Sequence, residues 1–165
     1  MLNSDRTISL TPILMDNSPA TDVISNQPVT LNLTDPDSLS TDGKGALVLV
    51  SQGDSEIITI ANPGAAGQTA TVLTVGTQLD DTVYPSGSGR LLVVDAGGST
   101  YWISRDMPFV AGSIYTQSPN DSGVSNLVGT VNSANGIVTP FAVGFTKATG
   151  MVFVPRSGPD EDGSN

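Results

Sequence analysis

The residues that could bind a cation or a polar ligand are a few aspartates beside predicted strands. Asp37 and Asp81 occupy equivalent positions, each at the start of a predicted strand, and Asp80 directly precedes Asp81. Carboxylate oxygens that converge where strands begin can bind a divalent cation or a sugar-like ligand. The same side chains can instead cap turns, because aspartate readily accepts hydrogen bonds from nearby backbone N–H groups. At the level of the sequence both interpretations stay open.

A second oxygen-rich segment lies further along the chain. Asn120 and Asp121 belong to the polar turn of residues 118–123 and could contribute ligands to a Ca²⁺ site, since hard cations prefer oxygen. The spacing of an EF-hand loop is absent, so a plain turn is the simpler interpretation. We therefore expect no obligatory cofactor and keep Ca²⁺ as the one candidate metal.

Composition excludes several kinds of chemistry. The 165 residues include no His and no Cys, which removes the Ser-His-Asp triad, cysteine nucleophiles, disulfides and the usual zinc ligands. Sixteen acidic residues against six basic ones give a net charge of −10. We expect neither nucleic acid nor an anionic membrane surface as a partner, because both would require a basic stripe.

The elements that must position these residues are strands. Helical periodicity is absent, whereas Val, Ile and Thr gather in short runs between Gly, Pro, Asn, Asp and Ser, as in an all-β protein. The predicted runs are Ile8–Ile13, Pro28–Leu33, Ala46–Ser51, Glu56–Ala61, Ala70–Gly76, Thr82–Pro85, Arg90–Asp95, Thr100–Ser104, Ser113–Gln117, Asn126–Asn132, Ile137–Gly144 and Met151–Pro155.

The chain also repeats itself at an offset of 44 residues. Placing Asp37-Ser38-Leu39 over Asp81-Thr82-Val83 aligns the apolar run Leu47–Val50 with Leu91–Val94, and Ile57-Ile58 with Tyr101-Trp102. Three glycines also match, because 43, 45 and 53 fall on 87, 89 and 97. A repeat of about 40–50 residues that contains several short strands predicts β-propeller blades.

This repeat predicts the organisation of the whole chain. Residues 35–78 form one four-stranded antiparallel blade, and residues 79–148 form a second blade with an inserted hairpin at 105–136. Residues 1–34 supply the outer strands of a preceding blade. Residues 149–157 supply the first strand of a further blade, and residues 158–165 form a disordered acidic tail. The predicted fold is therefore about two and a half to three blades of an incomplete ring.

Three sequence segments resemble blades of the NHL, YVTN and gluconolactonase group of β-propellers. They are Asp37-Ser38-Leu39 with the following Gly43, Gly45 and Leu47–Leu49; Asp80–Val83 with Gly89–Gly97; and Gly144-Phe145 with Thr149–Phe153. The resemblance covers roughly residues 28–155 and implies rings of about six or seven blades. It therefore implies a chain that completes its ring with a copy of itself or with the rest of a longer protein.

We expect from this a non-enzymatic binding or interaction scaffold. A first alternative is a gluconolactonase-like, metal-dependent lactone or ester hydrolase, although no glutamate stands at a strand end that matches the family's site. A second alternative is an Ig-like sandwich used for adhesion, which requires strands to cross between two packed sheets. Tyr101 and Trp102 are expected to pack between blades or to stack on a ligand, and Asp54 and Asp95 to be solvated.

Signals for localisation are weak in this sequence. The N-terminus lacks the basic segment and long apolar run of a secretory signal. A composition rich in Ser, Thr and Asn with little Lys is typical of extracytoplasmic proteins. The sequence therefore favours no single compartment.

Overall fold

The all-β prediction is confirmed. The computed structural model describes residues 3–118 and 126–156, and these residues contain strands and turns but no helix, hence no helix that could cross a membrane. β-branched side chains favour extended backbone, and turn residues interrupt it. The strands are β1 (Pro19–Asp22), β2 (Pro28–Thr30), β3 (Pro36–Thr41), β4 (Leu47–Ser51), β5 (Glu56–Ala61), β6 (Thr69–Thr74), β7 (Thr82–Val83), β8 (Ser88–Asp95), β9 (Thr100–Ile103), β10 (Met107–Pro108), β11 (Ile114–Ser118), β12 (Leu127–Val131), β13 (Val138–Val143) and β14 (Ala148–Pro155).

The first sheet has six strands in the order β2-β1-β6-β5-β4-β3. From β3 to β6 each strand pairs antiparallel with its sequence neighbour, which is the order predicted for residues 35–78. The β1–β2 hairpin joins the edge of β6, with β1 parallel to β6. The prediction that residues 1–34 belong to a separate preceding blade is therefore wrong for the described part of that segment. The predicted strand at Ile8–Ile13 likewise lies outside all the sheets.

The second half of the chain is divided between two further sheets. In the second sheet β8 is central, with β14 along one side and β9 followed by β10 along the other. The third sheet has the order β13-β12-β11-β7. Its antiparallel β11–β12 pair lies within residues 105–136, where the sequence predicts an inserted hairpin.

This pairing corrects the predicted organisation after residue 78. The strands of the second predicted blade, 79–148, do not form one sheet, and β14 pairs with β8 instead of opening a further blade. Only residues 36–74 have the up-and-down order of a blade, and none of the described sheets closes into a ring. Propeller blades are thus not established for the chain as a whole.

The 44-residue repeat nevertheless appears in the hairpin registers. Val50 pairs with Ile57 in the first copy, and Val94 pairs with Tyr101 in the second. The copies differ in the strand on the other side, because β3 flanks β4 whereas β14 flanks β8. β7 spans only two residues, while the eight-residue β14 pairs along most of β8 and offers it many more backbone hydrogen bonds.

The three sheets stack with the third sheet in the middle. Successive residues of a strand point to opposite faces. Ile114 of β11 accordingly packs in one cluster with Val48 and Val50 of the first sheet, while Tyr115 packs in another with Leu91 and Val93 of the second sheet. All five residues of β11 are buried as a result. The outward face of the first sheet is covered by the segment around Leu31.

Candidate functional site

The predicted aspartates lie where the first and third sheets approach one another. Asp37 is exposed on β3, and Asp80 and Asp81 immediately precede β7. The hydroxyl of Ser38 donates a hydrogen bond to the carbonyl of Asp80 at 2.9 Å, so the starts of the two strands are in contact. The structure therefore brings the starts of these two strands together.

Asp81 fastens the third sheet to the second. Its Oδ2 accepts the backbone N–H of Met151 at 2.8 Å, and the neighbouring Gln117 donates Nε2–H to the carbonyl of Gly150 at 2.7 Å. The Asp81 carboxylate thus bonds a backbone group, as the capping interpretation expects, but one that lies 70 positions along the chain. The fully buried Gln117 has no partner for its Oε1 among the described residues. This arrangement joins two layers of the fold.

A metal centre finds no support in the described ranges 3–118 and 126–156. These contain no group of three or more His, Cys, Asp or Glu side chains that could hold a metal ion. Asn120 and Asp121, the other candidate Ca²⁺ ligands, lie outside the described residues. Asp37, Asp80 and Asp81 alone therefore do not build such a site.

Two aspartates that the sequence places in solvent are instead structural. Asp95 is only 2% exposed, and its carboxylate accepts the backbone N–H groups of Thr146 at 2.9 Å and Lys147 at 2.6 Å. These bonds hold the pKa of Asp95 below its usual value. Burial raises the pKa of Asp54, but hydrogen bonds from Ser51 and Thr34 outweigh it, and the pKa is lowered. The prediction of a solvated carboxyl is wrong for Asp95, whereas Asp54 is partly exposed.

The most distinctive surface is an apolar groove between two sheet edges. Edge strand β9 of the second sheet and edge strand β13 of the third leave a groove of about 230 Å³ between them. We call it the edge groove. It is lined by Leu91 and Val93 of β8, Trp102 and Ile103 of β9, Val128 of β12 and residues 141–145.

The rims of the edge groove are large apolar side chains in contact with solvent. Trp102 and Ile103 are 50% and 61% exposed, and Val143 on the opposite rim is 71% exposed. The neighbouring Tyr101, which does not line the groove, is 77% exposed. Trp102 makes an edge-to-face contact with Phe145, with ring centroids 6.3 Å apart. Tyr101 and Trp102 are therefore not packed between blades as expected. Sequence reasoning singled out these residues for packing between blades or for stacking on a ligand, the first because their counterparts Ile57 and Ile58 are aliphatic. Those counterparts are buried, whereas Tyr101 and Trp102 are exposed.

Comparisons with known proteins do not identify a relative. No protein-family model, no curated protein and no solved structure matches the chain. The resemblance to the propeller group therefore rests on the quoted residues alone.

Proposed function

We propose that this protein is a non-enzymatic interaction module that associates with copies of itself through the edge groove and strand β9. The observation that carries the proposal is the exposed apolar strand β9 beside an apolar groove. Contiguous apolar surface of this kind marks interaction sites in soluble proteins. An edge strand that offers unpaired backbone groups is also a ready template for pairing with another chain.

Fewer observations support the hydrolase alternative than support the interaction module. Lactone hydrolysis of the kind first considered needs a metal held by several oxygen ligands, and Asp81 instead bonds a backbone N–H. The adhesion alternative is favoured by one observation, because the chain crosses repeatedly between the packed second and third sheets. A sandwich used for adhesion is itself an interaction module, so it agrees with the proposal.

Sedimentation velocity over about 1–100 µM tests the proposal, a range in which interfaces of moderate affinity become populated. We expect larger species to grow with concentration. The double variant Trp102→Thr/Ile103→Thr should shift the distribution toward monomer, since it keeps residues suited to a strand but removes apolar surface. Val110→Thr is the matched control, because Val110 is a comparably exposed apolar residue that does not line the edge groove. A wild-type chain that stays monomeric throughout would contradict the proposal.

A further inference from the structure

Resting on this proposed function, we infer which part of the second copy occupies the groove. It is the N-terminal segment of residues 3–12, here called the arm. The arm of one copy adds as a strand along the free edge of β9 of the next copy. Its side chains Ile8 and Leu10 then enter the edge groove.

The arm has the pattern of a strand that has no sheet. Ile8 and Leu10 are 67% and 89% exposed and alternate with the polar residues Thr7, Ser9 and Thr11. Period-two alternation of this kind belongs to a strand with one buried face. The arm belongs to none of the three sheets of its own chain, although Ile8 forms an isolated β-bridge. It therefore carries an apolar face that its own fold leaves in solvent.

Contacts of the N-terminal segment with the first sheet are made at Ile13 and Leu14. Gln68 donates a hydrogen bond to the carbonyl of Ile13, and Leu14 packs against the core of the first sheet. Residues 3–9 make local contacts with one another. Asp5 accepts hydrogen bonds from the backbone and the hydroxyl of Thr7. Asn3 donates its backbone N–H to the carbonyl of Thr7 at 2.8 Å and its side-chain amide to Ser9 at 3.0 Å.

The edge groove accepts a strand on the side of β9. Residues 100–103 include no proline and no charged side chain, the usual devices that block an edge. Strand β13 on the opposite rim contains Pro140, which cannot donate a backbone hydrogen bond. Trp102 pairs with Val93, so alternate residues of an added strand would face the groove. Apolar cavities of about 150 Å³ already hold a benzene-sized group, and the groove measures about 230 Å³.

Charge favours contact between the second sheet of one copy and the arm-bearing first sheet of another. The second sheet and its flanks, residues 88–108 and 146–156, hold four basic and two acidic residues. The arm and the first sheet, residues 3–74, hold two basic and eight acidic residues. Opposite net charges on the two surfaces steer the arm-bearing end of one copy toward the groove of another.

This contact is heterologous, because the arm and the groove are different surfaces. Each copy can donate one arm and accept one arm. Such a contact closes into a ring if the rotation between copies allows it and otherwise gives an open chain. A heterologous contact of this kind does not by itself produce a symmetric dimer.

Two complementary variants test the assignment. Ile8→Ser/Leu10→Ser removes the apolar face of the arm, and Ile103→Arg places a charge on the rim of the groove. Each variant alone should dissociate roughly tenfold or more readily than wild type, because a buried aliphatic side chain contributes at least that factor. Mixed in equal amounts, the two should form a species of two chains and no larger one. The arm variant offers an intact groove, and the groove variant offers an intact arm.

Controls separate this inference from the proposed function. Val23 and Ile24 are exposed apolar residues that follow β1 and lie outside the arm. The variant Val23→Ser/Ile24→Ser should therefore assemble as wild type does. If Ile103→Arg lowers the thermal midpoint, Val143→Arg on the opposite rim replaces it. An arm variant that assembles like wild type, or a mixture that stays monomeric, overturns the arm assignment while wild-type association still stands. A monomeric wild type overturns both.

Discussion

At the scale of single residues, the carboxyl groups hold layers together. Asp81 reaches Met151, and Asp95 reaches Thr146 and Lys147, in each case at least 51 positions away in the chain. The sequence identified Asp81 as notable because the repeat matched it to Asp37. It gave no sign of the role of Asp95, since the partner backbone groups come close only after β14 pairs with β8.

Asp95→Asn should lower the thermal midpoint at pH 7 by several degrees. The amide replaces one acceptor oxygen with an NH₂ group that faces a backbone N–H, and it removes the charge that strengthens both bonds. Because the folded pKa of Asp95 is depressed, its contribution is present above the unfolded pKa of about 4 and is lost as the pH falls through the folded pKa. Melting curves from pH 7 to 2.5 should therefore show the two proteins converging in acid.

Asp106→Asn is the matched control for that experiment. Asp106 pairs with Arg90 at 2.9 Å on the surface, where ion pairs add little stability. Its midpoint should lie within about 2 °C of wild type. A gap between Asp95→Asn and wild type that stays constant down to pH 2.5 would show that the carboxylate is not the source of the difference.

Gly136 is a position where only glycine fits. Its φ is +70°, and an added Cβ would lie 2.0 Å from the carbonyl oxygen of Thr74. Gly136→Ala should reduce the free energy of unfolding by about 3 kcal/mol or more, since it combines a strained backbone with a clash against another strand. Denaturant titration at a fixed protein concentration measures the change.

Gly76→Ala, near the same contact, serves as its control. A Cβ at Gly76 meets nothing within 4 Å, and its φ lies outside the left-handed region. The free energy of unfolding should stay within about 1 kcal/mol of wild type. Equal losses in the two variants would refute the role assigned to Gly136.

At the scale of elements, hairpins could be predicted and sheet partners could not. The turn glycines and apolar runs are local signals, and they located β4, β5, β8 and β9 to within about two residues at each end. The choice between β7 and β14 as the neighbour of β8 depends on competition between distant strands. Hydropathy also gave no sign that β11 lies in the middle layer, because this fully buried strand ends in the polar residues Thr116-Gln117-Ser118. Hydrogen bonds to Thr82, Gly150 and Thr77, which only the assembled sheets supply, pair most of these polar groups. Of these groups, the Oε1 of Gln117 alone has no partner among the described residues.

The two copies of the repeat bury their matched valines differently, which a pair of substitutions can measure. Val50 is buried between the first and third sheets, whereas its counterpart Val94 is half-buried on the outer face of the second sheet. Val50→Ala should cost about 2–3 kcal/mol and Val94→Ala less than about 1 kcal/mol. Equal costs in unfolding experiments at a concentration where the chain is monomeric would contradict the layer order.

At the scale of the whole molecule, charge and apolar surface are distributed unevenly. Four of the six basic residues lie on or beside the second sheet, although the chain carries a net charge of −10. Overall charge, which the sequence gives directly, keeps acidic molecules apart. Its distribution over the surface depends on the strand exchange between sheets, and for that reason the edge groove could not be located from the sequence.

The stacking of three sheets predicts one cooperative unfolding transition. One core cluster joins the first sheet to the third, and another joins the third to the second, so no layer can unfold without exposing buried surface of the middle sheet. Trp102, the only tryptophan, reports on the second sheet, whereas far-UV circular dichroism reports on all strands. Both signals should therefore share one midpoint in denaturant. Ile114→Ala weakens only the cluster shared with the first sheet and should reduce the free energy of unfolding by about 2–4 kcal/mol. Both midpoints should therefore fall together. A tryptophan transition that keeps its wild-type midpoint in this variant would show that the second and third sheets unfold as an independent unit.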